Sequence, residues 1–217
     1  MPRQANGNVF DDELSHARGE NVELTLNAPH GAVVRVLAYL NHARMGRYAV
    51  VDSVGAAGNT TPDIVADDAS GRTKGGFGLN AEIPLADDGE TGIFARLGWN
   101  DGQNESFAFT EVDRHLSAGL QLAGVRWGRL KGHLGVAVAL DGLSDVHSKY
   151  LMAGGQGFLL GDGKLRYGPE VLAEAYYRAQ LGPWIEFSPD VEFIVNPGYN
   201  RDRGPATVLT LRFNARY

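Results

Sequence analysis

The sequence predicts an all-β, antiparallel transmembrane barrel of the outer-membrane type. Three observations predict it: apolar and polar residues alternate strictly, the alternating runs are long, and the connections between them are short and long by turns. Period-two alternation gives a strand one apolar and one polar face. A tilted membrane strand needs about 9–11 residues, whereas strands of globular domains usually have about 5–6.

The clearest run ends the chain. Leu209, Leu211, Phe213, Ala215 and Tyr217 alternate with Thr210, Arg212, Asn214 and Arg216, and the last residue is aromatic. Upstream, Ile185, Phe187, Val191, Phe193 and Val195 alternate with Glu186, Ser188, Asp190 and Glu192. Val171, Ala173, Ala175, Tyr177 and Ala179 alternate with Glu174, Tyr176, Arg178 and Gln180. Four further runs follow the same rule, around Leu134–Leu140, Leu116–Leu122, Ile93–Trp99 and Phe77–Leu85. Val34, Val36, Ala38 and Leu40 form another set, and Val22, Leu24 and Leu26 a weaker one. That makes about nine strands from residue 20, with 1–19 as a polar extension and 1–217 as a single barrel domain.

Asn27–Gly31, Ala86–Glu90, Gly124–Gly132 and Leu181–Pro183 are short connections. Asn41–Lys74, Asn100–His115, Asp141–Pro169 and Asn196–Pro205 are long, and the two kinds take strict turns. Outer-membrane barrels have short periplasmic turns and long outer loops. The expected orientation puts Gln103, Gly155 and Arg201 outside and Asp88, Gly182 and Tyr217 at the periplasmic side. Two long loops are expected to carry helix. Ser144 would cap one over Asp145–Ala153, stopped by Gly154 and Gly155, and His42–Val54 is the other candidate.

Composition agrees. Glycine numbers 29, where ordinary usage would give about 15. Cysteine is absent, which removes disulfides and thiolate chemistry. A net charge of −6 without a basic run argues against nucleic acid as a partner. Mean hydropathy is −0.22, a value that a barrel tolerates because only alternate residues face lipid. Single-chain bacterial barrels are even-numbered. One or more strands are therefore expected before Glu20, as is a signal sequence that Met1–Phe10 does not supply.

Several segments resemble the carbohydrate-selective porins of the OprB family: Gly92–Arg114 (GIFARLGWNDGQNESFAFTEVDR), Tyr150–Glu170 (YLMAGGQGFLLGDGKLRYGPE) and Ile194–Tyr217. Tyr39–Tyr48 (YLNHARMGRY) and Gly71–Leu79 (GRTKGGFGL) are similar to the same family. The resemblance covers roughly residues 20–217. It implies a sixteen-stranded outer-membrane barrel passing glucose-like sugars by diffusion, of which this chain would be an incomplete, C-terminal part. It implies carbohydrate solutes and outer-membrane lipid as partners, and no cofactor.

Enzyme motifs are not found. Gly161-Asp162-Gly163-Lys164 lacks the rest of a phosphate-binding loop, and Gly155-Gln156-Gly157 lacks the third dinucleotide glycine. The six histidines have no metal-ligand spacing. Asp87-Asp88-Gly89-Glu90 and Asn100-Asp101-Gly102 read as turns ahead of surface calcium sites. No Ser/His/acid set stands out, so no enzyme is expected. The functional candidates are polar-face residues: Glu82, Arg96, Glu174, Tyr176, Arg178, Glu186, Glu192 and Arg212. Charged groups there can hydrogen-bond sugar hydroxyls, and Tyr176 can stack on a sugar face. As the wet side of an amphipathic sheet they need no ligand at all. Trp99, Tyr177 and Tyr217 fall on the lipid side as girdle residues, with Trp184 at the rim. The competing expectation is a soluble or peripheral β-barrel or sandwich that binds a ligand. It suits the hydropathy but not the strand lengths or the loop order.

Overall fold

The computed structural model describes residues 9–58, 60–106, 111–129 and 131–215. Nine strands form one sheet in sequence order, each antiparallel to the next. They are β1 (Arg18–Asn27), β2 (Val33–Met45), β3 (Ala69–Ala86), β4 (Thr91–Asn100), β5 (Arg114–Ala123), β6 (His133–Gly142), β7 (Glu170–Leu181), β8 (Ile185–Val195) and β9 (Ala206–Ala215). The nine predicted runs are all present. β1 starts two residues earlier than residue 20, and Tyr217 lies outside the described residues. Among the described residues β1 and β9 do not pair with each other. No described helix is long and apolar enough to cross a membrane.

The register keeps the two faces apart across the whole sheet. Leu26 pairs with Val34, Val34 with Ala81, Ala81 with Ala95 and Ala95 with Ala118. The row continues through Val138, Ala173, Phe193 and Thr207. This face is apolar and uncovered: Val22 is 74% exposed, Leu211 63% and Leu209 79%. An apolar surface this continuous exceeds what a water-soluble monomer tolerates and fits a lipid belt. Aromatics mark its two ends. Phe77 stacks on Trp99 at the long-loop end, with Arg114 over the Trp99 ring. At the short-turn end the Trp127 Nε1–H donates to the Tyr177 hydroxyl (3.2 Å), and Trp184 stands exposed in the β7–β8 turn.

The long connections form a core of their own. Helices α1 (Tyr48–Gly58) and α2 (Asp145–Met152) pack together, and Tyr48, Val51, Ile64, Leu143, Tyr150, Leu151, Leu165 and Tyr199 are buried with them. Ser144 caps α2 as expected, its Oγ accepting from the His147 amide. The helix expected over His42–Val54 is corrected. His42–Met45 belong to β2, because β3 runs up beside them and pairs with their backbone (Ala43 with Arg72, Met45 with Ala69). The helix begins only at Tyr48. Lys74, on the polar face of β3, is buried and donates to the Asn104 carbonyl (3.2 Å). The loops thus fold over the polar side of the sheet.

Candidate functional site

All eight predicted residues lie on that polar face, in successive cross-strand rows. Of the rows that hold them, the nearest to the long loops contains Arg35, Asn80, Arg96 and Ser117. The next holds Glu82, Phe94, Gly119, Ala137, Glu174 and Glu192. Tyr176 follows, beside Gln121 through Gly135 and beside Asp190. Arg178 sits across from His133, and Arg212 across from Ser188. Glu186 is in the last row, between Gln180 and Asn214.

Two hollows gather them. One of about 890 Å³ is lined by Glu82, Arg96, Glu174 and Tyr176. One of about 310 Å³ is lined by Glu174, Tyr176, Arg178, Glu186 and Arg212, with Asp190 and Asn214. Glu192 lines neither, although it pairs with Glu174 across the ladder.

Glu82, Arg96, Tyr176 and Arg178 are each held by a different kind of partner. Glu82 accepts from Arg35 Nη1 at 2.9 Å. Arg96 rests its guanidinium over the Phe94 ring, 5.0 Å from the centroid. The Tyr176 hydroxyl donates to Gln121 Oε1 (3.1 Å), and the ring lies over Gly135, where a Cβ would stand 2.2 Å from it. Only glycine lets that ring lie flat on the wall. Arg178 Nη2 meets His133 Nδ1 at 2.8 Å, and His133 Nε2 meets Glu90 at 2.5 Å.

The residues that sequence reasoning missed are these partners: Arg35, Gln121, His133, Glu90 and Asp190. Strand parity could have found Gln121 and Asp190. His133 and Glu90 needed the register.

A second polar cluster lies under the loops. Asp113 Oδ2 accepts from the Ser144 amide (2.9 Å) and faces His147 Nδ1 (2.9 Å), while Lys74 Nζ is 3.8 Å from Oδ1. The His147 ring is fully buried and stacks on Tyr48 with centroids 4.2 Å apart. Burial would raise the Asp113 carboxyl, but the bonds from His147 and Ser144 and the Lys74 charge hold it at about 2. Burial pushes the Tyr48 and Tyr199 hydroxyls well up. The Glu111 carboxylate accepts from the backbone N–H groups of Phe158, Leu159 and Leu160.

A continuous antiparallel sheet, apolar outside and mixed in charge inside, with loops folded over the inner face, defines a wall of a porin-type outer-membrane β-barrel. The chain belongs to the carbohydrate-selective porin OprB family, whose model matches residues 12–217. The solved structure described as the high-pH structure of Pseudomonas putida OprB is similar in fold, with a TM-score of 0.70 at 19% identity. The match covers 91% of this chain and 47% of that one, so the chain spans about half the length of its structural relative. No curated protein sequence matches.

Proposed function

We propose that this chain, as one porin-type domain, is part of the wall of a water-filled pore that passes neutral, glucose-like sugars across the outer membrane by diffusion. The observation that carries the reading is the hollow of about 310 Å³ in which Arg178 and Arg212 face Glu174 and Glu186. With Asp190 the hollow holds two arginines and three carboxylates, a mixed lining of small net charge that suits a neutral solute. Arginine and carboxylate groups offer charge-assisted hydrogen bonds to hydroxyls. The Tyr176 ring offers a face on which a sugar can stack. Contacts must stay weak, since conduction needs release as well as entry. On this reading transport is not enzymatic and uses no cofactor or energy source. Lipid is the partner of the outer face.

Liposome swelling tests it, with glucose compared against a non-sugar solute of similar size. Replacing Arg96, Arg178 and Arg212 together by alanine is expected to lower the flux ratio of sugar to non-sugar. An unchanged ratio would leave these side chains as the ordinary wet face of the wall.

A further inference from the structure

We propose that Ser117, His115 and Asp141 form an acyl-transfer centre on the polar face, able to hydrolyse water-soluble esters with a short acyl chain. The three side chains make one hydrogen-bonded line. His115 Nδ1 is 2.6 Å from Asp141 Oδ1, and His115 Nε2 is 2.9 Å from Ser117 Oγ. This is the arrangement of orienting carboxylate, base and hydroxyl nucleophile, recognised by geometry rather than by order in the chain.

The sheet builds the line from its register. His115 and Ser117 are two residues apart on β5, so both point to the polar face, and Asp141 is the residue directly across from His115 on β6. Asp141 is the better covered of the ion pair, with side-chain exposures of 34% for His115 and 20% for Asp141. The carboxylate accepts the Nδ1 proton, which leaves the Nε2 lone pair for the serine O–H.

The surroundings supply a cation and small neighbours, with Ser117 itself buried at 8% exposure beside the more open His115. Arg96 is the cross-strand partner of Ser117 on the same face. Its guanidinium rests over Phe94, whose ring stands against Gly119 so closely that a Cβ there would be 2.4 Å away. On this proposal Arg96, the charged residue in register with Ser117, is assigned as the donor for a developing oxyanion, a task the sheet amides cannot take because the ladder uses them. Gly98 lies across from His115, and Ala139 across from Ser117. Small residues therefore flank both groups, which favours a short acyl chain, and the polar face disfavours long lipid chains.

The reaction follows from these roles. Ser117 Oγ attacks the ester carbonyl carbon as its proton passes to His115 Nε2. The carbon–oxygen bond to the alcohol breaks, and the alcohol leaves with that proton. Water then attacks the acyl-serine by the same proton path, which releases the acid and restores Ser117. The net change is ester plus water to acid plus alcohol. Asp141 is a positioning residue, acting only through His115.

The test uses the purified chain folded in detergent micelles, with folding checked by circular dichroism. A fluorophosphonate probe is expected to add once, on Ser117, by peptide mass mapping. The adduct should vanish in Ser117→Ala, and its rate should fall by at least about 100-fold in His115→Gln. Hydrolysis of p-nitrophenyl acetate should be lost in Ser117→Ala. Asp141→Asn should lower the hydrolysis rate, and Asp141→Glu should restore part of it. No adduct on wild type, or an adduct only at another residue, overturns the proposal, and the wild-type map decides this even where a variant does not fold. Sugar flux is measured separately, so an adduct without flux counts against the transport reading alone, and flux without an adduct against this one alone.

Discussion

The sheet and the loops of this molecule solve the burial problem in opposite ways. The sheet turns its large apolar side chains outward, with Leu209 at 79% exposure. The loops hide theirs, with Tyr48, Tyr150 and Leu151 at 2% or less. The first arrangement suits an apolar solvent, as the proposed lipid contact would supply; the second is a small water-excluding core of the ordinary kind. The difference leads us to expect two folding units with separate sources of stability in one chain. Each unit should respond to substitutions that leave the other intact.

The largest effects separate the two units directly. Tyr150→Ala removes a fully buried ring and the hydroxyl that donates to the Gln156 carbonyl (2.8 Å). It should cost about 3–5 kcal/mol. Amide exchange of 145–152 should rise sharply while the strands keep their protection. On the wall, Leu211→Arg puts a charge on the lipid face and should cost roughly 2–4 kcal/mol near the midplane. Thr210→Arg, on the opposite face, should be milder when assembly into vesicles is titrated with urea. Equal effects at the two wall positions would break the assignment of faces.

The wall was readable because its rule is local. Leu209 to Ala215 announce their faces by parity alone, and each of the nine strands appears where alternation puts it. The upper half of β3, Ala69–Gly76, was not readable. It stands beside loops rather than lipid and has no apolar face to reveal it. For the same reason β2 displaced the helix expected from His42. The candidate site was half legible. Parity gave Glu174, Tyr176, Arg178 and Arg212 their side of the sheet. What each side chain meets depends on register, so the His133 bridge from Arg178 to Glu90 stayed hidden. The Ser117–His115–Asp141 line was hidden too, since its acid comes from the next strand. The loop core was least legible, because Asp113, His147 and Tyr48 converge from distant segments with no period to connect them.

Acid should sharpen the contrast at a smaller scale. Asp113 titrates at about 2 in the folded loops against an ordinary value of 3.8. A lowered carboxyl adds stability that is fully present above the unfolded value and is lost as pH falls through the folded one. The loss should amount to about 2 kcal/mol between pH 4 and pH 2. It should appear as faster proteolysis by an acid protease in the 143–169 loop, with strand circular dichroism unchanged. Asp113→Asn should abolish this pH dependence; a variant that kept it would assign the acid sensitivity elsewhere.

The last predicted effect, no larger than that of acid, tests where the boundary between the units lies. Ser144 follows the end of β6 by two residues and starts α2, so it belongs to neither unit alone. Its amide donates to Asp113 Oδ2, its Oγ donates to the Gly102 carbonyl (2.7 Å), and that oxygen also accepts from the His147 amide (3.2 Å). Ser144→Ala keeps the first bond and loses the other two. Loss of a cap costs about 1 kcal/mol, and leaving the buried Gly102 carbonyl unpaired adds a similar amount. Ser144→Thr keeps the oxygen and should recover most of the loss. If the loops and the wall are separate units, amide exchange in Ser144→Ala should quicken at 146–149 and stay unchanged at 134–140. Equal quickening in both stretches would mean that the cap also anchors β6. The wall would then draw part of its stability from the loops.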